Sequence, residues 1–341
     1  MRGRVLFVAD HPLDPHFDAV VPILAEGRVV PFLGAGVNCA GRAPGVVWET
    51  PGSELPSGGE LAAWLAGKAG LREHHGDLVR VSQYMETTLG PGELYLRVRQ
   101  ALNYDARITP VHEFLATLPR RLRAARAANR DLDVEDTNLL IVTTNYDDTM
   151  ERALQAAGEP YDVVSYVATG IHAGTFVHVP SGEEQPRRIE VPNEYVLVSV
   201  SDQTVVLKLH GALHREQAKQ DSFVITEDDC IDYLATSDPV SVLPVTLAEK
   251  LQSSHLLFLG YGLRDWNLRV ILRRLWGAQE LGFTSWAVQL QPDIVETRFW
   301  QNRHVEITDA DLVEYVDELS ERLAHVLPER PGVGKGAVTS S

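Results

Sequence analysis

Apolar positions along the chain follow two patterns. The first is the short continuous run, rich in β-branched residues: Arg28-Val-Val-Pro-Phe-Leu33, Asn138-Leu-Leu-Ile-Val-Thr-Thr144, Val205-Val-Leu-Lys-Leu209, His255-Leu-Leu-Phe-Leu259 and Thr284-Ser-Trp-Ala-Val-Gln-Leu290. Such runs predict strands covered on both faces, as in a parallel sheet. Shorter strands are expected at Tyr161-Asp-Val-Val-Ser165, Tyr195-Val-Leu-Val-Ser199 and Phe223-Val-Ile225, with 168–192 a loop. Val5-Leu-Phe-Val-Ala9 reads as a short strand or a turn of helix. The second pattern has helical spacing. It predicts helices over 18–27, 61–68, 77–88, 92–102, 149–157, 238–252, 266–276 and 308–325, and another starting at Thr109-Pro110. Their ends carry the expected punctuation. Ser57 and Glu60 form a capping box, Pro110 takes a first helical position, Gly27 and Gly158 follow helix ends, and Asp265 and Thr308 open helices.

Strands separated by helices predict a doubly wound, Rossmann-like α/β fold with a mostly parallel sheet. The expected organisation is an N-terminal segment 1–27, a body 28–327 with a helical insertion at about 57–130, and a flexible tail 328–341. In such sheets ligands sit beyond the carboxyl ends of the strands. Four runs end there in chemistry-bearing residues. The first gives Gly34-Ala35-Gly36, followed by Asn38; glycine allows close backbone approach to a pyrophosphate, and the following helix turns its N–H groups toward the anion. The third glycine position of the dinucleotide fingerprint holds Cys39 instead. The second run ends in Thr144-Asn145-Tyr146-Asp147, the third in His210-Gly211, and the fourth in Gly260-Tyr261-Gly262. Taken singly, each has a bland reading: a strand–turn–helix without ligand, a helix cap at Asn145 and Asp147, a structural histidine. Their coincidence at one sheet edge argues for a site.

Composition narrows the function. Lys and Arg number 31 against 47 Asp and Glu, a net charge of −16, which disfavours direct nucleic-acid binding. The arginines of Arg120–Arg130 spread around a helix, as on a solvated face; a docking surface for an acidic partner is the other reading. Two cysteines, Cys39 and Cys230, exclude a disulfide framework and a four-thiolate zinc site. No metal-ligand spacing is present, so no metal is expected. His74-His75, His172, His178 and His214 are expected on the surface or in loops. No run is long enough for a membrane helix, and the first ten residues are too short for a signal peptide. A cytoplasmic protein is expected. The Gly/Pro/Ser-rich stretch 43–59 reads as a loop over the site or an ordered insertion, with the composition of a movable lid.

Gly34-Ala-Gly36, Thr144-Asn-Tyr-Asp147, Leu209-His-Gly211 and Gly260-Tyr-Gly-Leu-Arg-Asp-Trp-Asn267 resemble, in order, the motifs of the sirtuin superfamily. The forms Thr-Thr-Asn-Tyr-Asp and Gly-Tyr-Gly-Leu-Arg-Asp-Trp-Asn are similar to its bacterial sirtuin-like branch, known for NAD hydrolases of antiphage defence. The resemblance covers roughly Val29 to Glu306. It implies NAD as substrate, with Gly34, Ala35 and Gly36 at the pyrophosphate and Asn38 and Thr144 beside them. Asn145 would position the reacting ribose or the attacking water. Asp147 would contact the nicotinamide amide, His210 would be the catalytic histidine, and Gly260, Tyr261 and Gly262 would lie over the adenosine ribose and phosphate. The zinc module and the Gly-Ile-Pro-x-Phe-Arg segment of the deacetylases are missing. The expected function is therefore an NAD glycohydrolase acting as an abortive-infection effector. The alternatives are a non-catalytic NAD or ADP-ribose sensor and, behind it, an ADP-ribosyltransferase or deacylase. Control by homo-oligomer assembly or by a partner such as a DNA-translocating ATPase is expected, because no sensor domain is expected after about Pro328.

Overall fold

The computed structural model describes residues 12–72, 76–128, 134, 136–235, 242–263, 266–276 and 283–327. The expected element at Val5–Ala9, the Asp265 cap, His74-His75 and the tail from Pro328 lie outside these residues.

The sheet grows from the apolar runs. Strands β1 (Val29–Leu33), β2 (Leu140–Thr143), β3 (Tyr161–Val167), β6 (Thr204–Lys208), β9 (His255–Leu259), β10 (Ser285–Gln289) and β11 (Val305–Asp309) pair in parallel. Strands β4 (Thr175–Val179) and β5 (Arg187–Arg188) add an antiparallel edge. The order is β11-β10-β9-β1-β2-β6-β3-β4-β5. A separate short hairpin joins β7 (Gly211–Ala212) to β8 (Ser222–Phe223).

Continuous apolar runs suit this arrangement because both faces are covered. Val29, Leu33, Ile141, Leu257, Leu259, Trp286 and Val288 face one core, with α1 (Asp14–Ala25), α5 (Pro110–Ala128), α6 (Thr149–Ala157) and α11 (Leu312–Val326). Their strand neighbours Val30, Phe32, Leu140, Val142, Leu256, Phe258 and Ala287 face the other. That second core is covered by α7 (Glu227–Ala235), α8 (Val245–Ser253), α9 (Trp266–Trp276) and α10 (Ile294–Gln301). Between β1 and β2 the chain inserts α2 (Gly58–Ala69), α3 (Leu78–Leu89) and α4 (Pro91–Leu102) before α5. These helices make a third core around Leu65, Met85, Leu94 and Val98, joined by Phe223 and Ile225.

The cap of α2 forms as its sequence requires: the Ser57 side chain accepts from the Glu60 N–H and the Glu60 carboxylate accepts from the Ser57 N–H. Four expectations are corrected. Tyr195–Ser199 is not a strand; Tyr195 closes a short 3₁₀ turn, and its hydroxyl meets His178 instead of a ladder partner. The stretch 168–192 carries β4 and β5, which pair with the exposed edge of β3. The helix expected from Thr308 begins at Leu312, capped by Asp311, because Val305–Asp309 pairs with β10 as a strand. His178 is 1% exposed and 3.0 Å from the buried Asp162, not a surface residue; Asp162 and the half-buried Tyr195 hold it in β4. Among the described residues no helix is long and apolar enough to cross a membrane.

Candidate functional site

The four neighbouring strands β9, β1, β2 and β6 all point their carboxyl ends to one edge. A cavity of about 1070 Å³ opens there. Its wall contains Gly34, Ala35, Gly36, Asn38, Thr144, Asn145, Asp147, His210, Gly260, Tyr261 and Gly262. These are all the candidate site residues read from the sequence. The far wall comes from the inserted helices and α7: Pro56 to Gly58, Leu61, Gly76 to Val79, Leu102, Glu227, Cys230 and Ile231.

The two glycine turns are built on each other. The Gly34 N–H donates to the Leu259 carbonyl at 3.0 Å and the Gly36 N–H to the Gly260 carbonyl at 2.9 Å. A Cβ on Gly36 would stand 2.7 Å from the Gly260 oxygen, and one on Gly260 would stand 2.3 Å from the Val37 nitrogen. Gly260 also has φ +63°, a region open mainly to glycine. Glycine is therefore needed here for contact between the turns, whatever ligand lies above. Gly262 differs, since a Cβ there would meet nothing within 4 Å. Tyr261 is 7% exposed and packs edge-on against Phe32, so its ring belongs to the core while its residue borders the cavity. Where the fingerprint would place a third glycine, burial pushes the Cys39 thiol up, and Cys39 is absent from the cavity wall.

Asn145 stands just past β2. Its N–H donates to Thr143 Oγ1 at 3.0 Å and its side-chain Nδ2 donates to the Gly34 carbonyl at 3.2 Å. The amide plane is thus tied to the first glycine turn. Thr144 follows the ladder through its N–H to the Leu33 carbonyl at 3.4 Å. His210 follows β6, is 6% exposed and meets the ring of Tyr233 edge-on at 5.5 Å. Gly211 comes next with φ +88°, and a Cβ there would lie 2.0 Å from the Ser222 carbonyl oxygen. The chain can turn into the hairpin after His210 because that residue is glycine.

Asp147 joins these pieces. Its Oδ2 accepts from Asn38 Nδ2 at 2.8 Å and its Oδ1 accepts from the Thr149 N–H at 3.0 Å. Its backbone carbonyl accepts from Lys208 Nζ at 2.5 Å. Burial works to raise the Asp147 pKa, but Lys208 and the hydrogen bonds from Thr149 and Asn38 outweigh it, and the carboxyl is held below the usual range. Lys208 is 1% exposed and also pairs with Glu151 Oε1 at 2.7 Å. One buried ammonium therefore connects the strand that ends in His210 with the loop that presents Asn145. Behind them His112 is fully buried, 2.7 Å from Thr109 Oγ1, and burial lowers its pKa to about 4.

Lys208 and His112 were not singled out in the sequence. A trace of Lys208 was there: a lysine inside an apolar strand run requires a buried partner. His112 carried no such mark, because its spacing suits a helix interior. The stretch 43–59 reaches the cavity with Pro56, Ser57 and Gly58. The rest is fastened to the inserted helices: Arg107 pairs with Glu54, Trp48 Nε1 donates to Tyr104, and Arg42 pairs with Glu60 and reaches the Leu55 carbonyl. Arg121 and Arg123 of α5 are bound to Ser320 and Glu159, which favours the structural reading of that basic stretch. Among the described residues no group of three or more His, Cys, Asp or Glu could hold a metal ion.

Comparison with known proteins agrees with this geometry. Residues 139–308 match the SIR2-like domain. That stretch contains Asn145, Asp147, His210 and the Gly260 turn; β1 and its glycine turn lie outside it and are joined to it by parallel pairing. Over 174 residues the chain is 24% identical to Defense-associated sirtuin 2 of Bacillus subtilis. The match covers 50% of this chain and 14% of that relative. A Rossmann-like sheet, the order of the motifs and the match lead to one assignment: residues 139–308 of this chain are a SIR2-like domain.

Proposed function

We propose that this protein is an NAD glycohydrolase, which breaks the bond between nicotinamide and ribose and adds water to give nicotinamide, ADP-ribose and a proton. The observation that carries the reading is the meeting of Asn145 and His210, from adjacent parallel strands, in a cavity bordered by both glycine turns. Nicotinamide is already a cationic leaving group, so its departure needs no strong acid. The site has to orient the ribose carbon, stabilise an oxocarbenium-like centre and admit water. In this reading His210 accepts a proton from a ribose hydroxyl or from water, and Asn145 holds the water at the reacting carbon. The pyrophosphate lies along the Gly34–Gly36 turn, with Asn38 and Thr144 beside it, and the adenosine lies by Gly260, Tyr261 and Gly262.

The name of the matched relative extends the proposal to a role in antiphage defence, in which depletion of NAD aborts infection. An unrestrained NAD hydrolase would harm its own cell. Activity is therefore held back until protomers assemble or a partner, such as a DNA-translocating ATPase, releases it.

The test is to incubate the purified protein with NAD, alone, concentrated and with candidate partners, and to separate the products by chromatography. Nicotinamide and ADP-ribose in equal amounts are expected. Tight NAD binding with no turnover under any of these conditions would instead make the protein a sensor. ADP-ribose found attached to protein would make it a transferase.

A further inference from the structure

Leu263 ends the turn that follows β9 and borders the cavity. Its φ is +51°, a left-handed conformation that bulky residues avoid. Its side chain is fully buried in the second core. Such a conformation persists only where the surroundings over-determine it, and it clusters at ligand clamps. Here the surroundings are specific. The Leu263 carbonyl accepts from Arg269 Nε at 3.2 Å and from Trp300 Nε1 at 3.2 Å. The Tyr261 carbonyl accepts from Gln289 Nε2 at 2.9 Å. Arg269, Trp300 and Gln289 do not line the cavity. At the other end of the turn the Gly260 carbonyl already accepts from the Gly36 N–H.

Arg269 stands on α9, and its guanidinium makes two bonds at once. Nε holds the Leu263 carbonyl, and Nη2 pairs with Glu296 Oε2 of α10 at 2.5 Å. The group also lies over the Phe299 ring, 4.3 Å from its centroid. Both members of the ion pair are largely shielded from water. A planar fork can bind a carbonyl and a carboxylate together while it stacks on a ring; an ammonium, a compact point charge, does not reproduce that geometry. Arg269 thus joins α9, the end of the turn and α10.

We propose that Arg269 is a positioning residue for the dinucleotide: it does not touch the substrate, but by holding Leu263 in its left-handed conformation it fixes the Gly260–Leu263 turn in the shape on which the adenosine half lies. The inference rests on the NAD glycohydrolase reading above and adds to it the residue that sets this turn. A turn left unheld would have to be ordered by the ligand, which lowers affinity. The reacting atoms lie at the Asn145 and His210 end. Loosening the turn therefore weakens binding without slowing the chemical step.

Calorimetry on the full chain in a His210→Ala background, where cleavage is silenced, reads affinity and the number of competent sites separately. The probes are NAD and ADP-ribose, which share the adenosine half. Adding Arg269→Lys keeps a cation for Glu296 but removes the fork. It should weaken both probes by the same factor, ~10-fold or more, the scale of one hydrogen bond from a charged group, with the number of sites unchanged. With His210 in place and the protein activated, the same substitution should raise KM by that factor and leave kcat as it was. Fewer sites at unaltered affinity would make Arg269 a structural residue only and overturn the proposal. Unaltered affinity at full stoichiometry overturns it too, as does weakening of NAD alone, which places the effect at the nicotinamide end. If Arg269→Lys does not fold, Glu296→Gln decides: it leaves Arg269 without its carboxylate, and a smaller, equal weakening of both probes is expected, whereas unaltered affinity overturns the proposal. If the His210→Ala protein with Arg269 intact binds neither probe, the NAD reading itself is wrong and this inference goes with it. Binding without cleavage by the unmutated protein removes the hydrolase reading alone and leaves Arg269 to be judged by the same affinities.

Discussion

His210 and Asn145 make different demands on the protein at the residue scale. His210→Ala should lower NAD turnover by ~10²-fold or more, the usual contribution of a positioned general base, while the hairpin after it holds through Gly211. Wild-type turnover by that variant in an activated preparation would remove His210 from the mechanism. Asn145→Ala should also abolish turnover with a smaller effect on NAD affinity. It also deletes the bond to the Gly34 carbonyl, so binding that disappears together with turnover would mark Asn145 as a brace for the glycine turn. A third expectation concerns pH. Burial lowers the His112 pKa to about 4 in the folded chain, against about 6.5 when unfolded. The unfolded chain therefore takes up the proton first as the pH falls. The contribution is fully present above about pH 6.5 and is lost as the pH drops toward 4, with a ceiling on the order of 3 kcal/mol. Burial lowers His16 likewise to about 4, so it contributes in the same window. Urea midpoints at neutral and mildly acidic pH should therefore move less for His112→Gln than for the unmutated protein. Parallel shifts in the two proteins would exclude His112 as a source of the acid sensitivity.

Elements meet at the strand ends, and two substitutions probe how. Gly260→Ala forces a side chain into positive φ and against the Val37 nitrogen. It should cost ~2–4 kcal/mol, combining backbone strain with overpacking. Gly262→Ala meets open space and should leave the melting temperature almost unchanged while altering NAD affinity. Melting curves of the two variants decide it, and equal losses would mean that the turns do not rest on each other. Lys208→Met breaks a buried pair and should cost ~3–5 kcal/mol, because Glu151 is left facing an apolar group. Adding Glu151→Leu should recover part of that loss, since the two residues are in direct contact. Strictly additive losses in chemical denaturation would show that the pair is not coupled. At this scale the strands were legible where the chain is buried on both faces, as in β1, β2 and β9. They were misread at the edge. β5 has two residues, β4 alternates buried and half-buried positions instead of forming a continuous apolar run, and Val305–Asp309 has the burial pattern of a half-covered edge strand with Asp309 and Asp311 close by. Its acidic residues look like a helix start until β10 supplies the pairing.

The molecule as a whole places its cavity between the sheet edge and the inserted helices. A homo-oligomer whose assembly gates the site is the expected solution state. Light scattering over a concentration series, run beside NAD turnover, checks it; a strict monomer with full activity at every concentration and without partners would remove the idea. The Gly/Pro/Ser composition of 43–59 suggested a movable lid, yet Trp48 and Leu55 are buried and Arg107, Arg42 and Tyr104 hold the stretch in place. Opening by a hinge of that segment alone would break several polar contacts together. The Gln83 side chain and Asp228 exchange hydrogen bonds of 2.9 and 3.0 Å between α3 and α7, so the two parts of the far wall are tied to each other.

The sequence alone determined the fold class and the residues on the strand-end side of the cavity, but not those of its far wall. Both depend on simple rules: an apolar run long enough for a strand, a glycine or amide where it ends, and helical crossovers that make the strands parallel, so that their carboxyl ends share one edge. What only the tertiary structure decided is what those residues are attached to. Asn38, Asp147 and Lys208 are separated by long stretches of chain, and no periodicity relates them; burial removes water as their partner and leaves them to satisfy one another. The glycines likewise looked like room for a ligand. The three-dimensional packing adds a second reason for them, since two turns from distant parts of the chain approach too closely for any side chain to stand between.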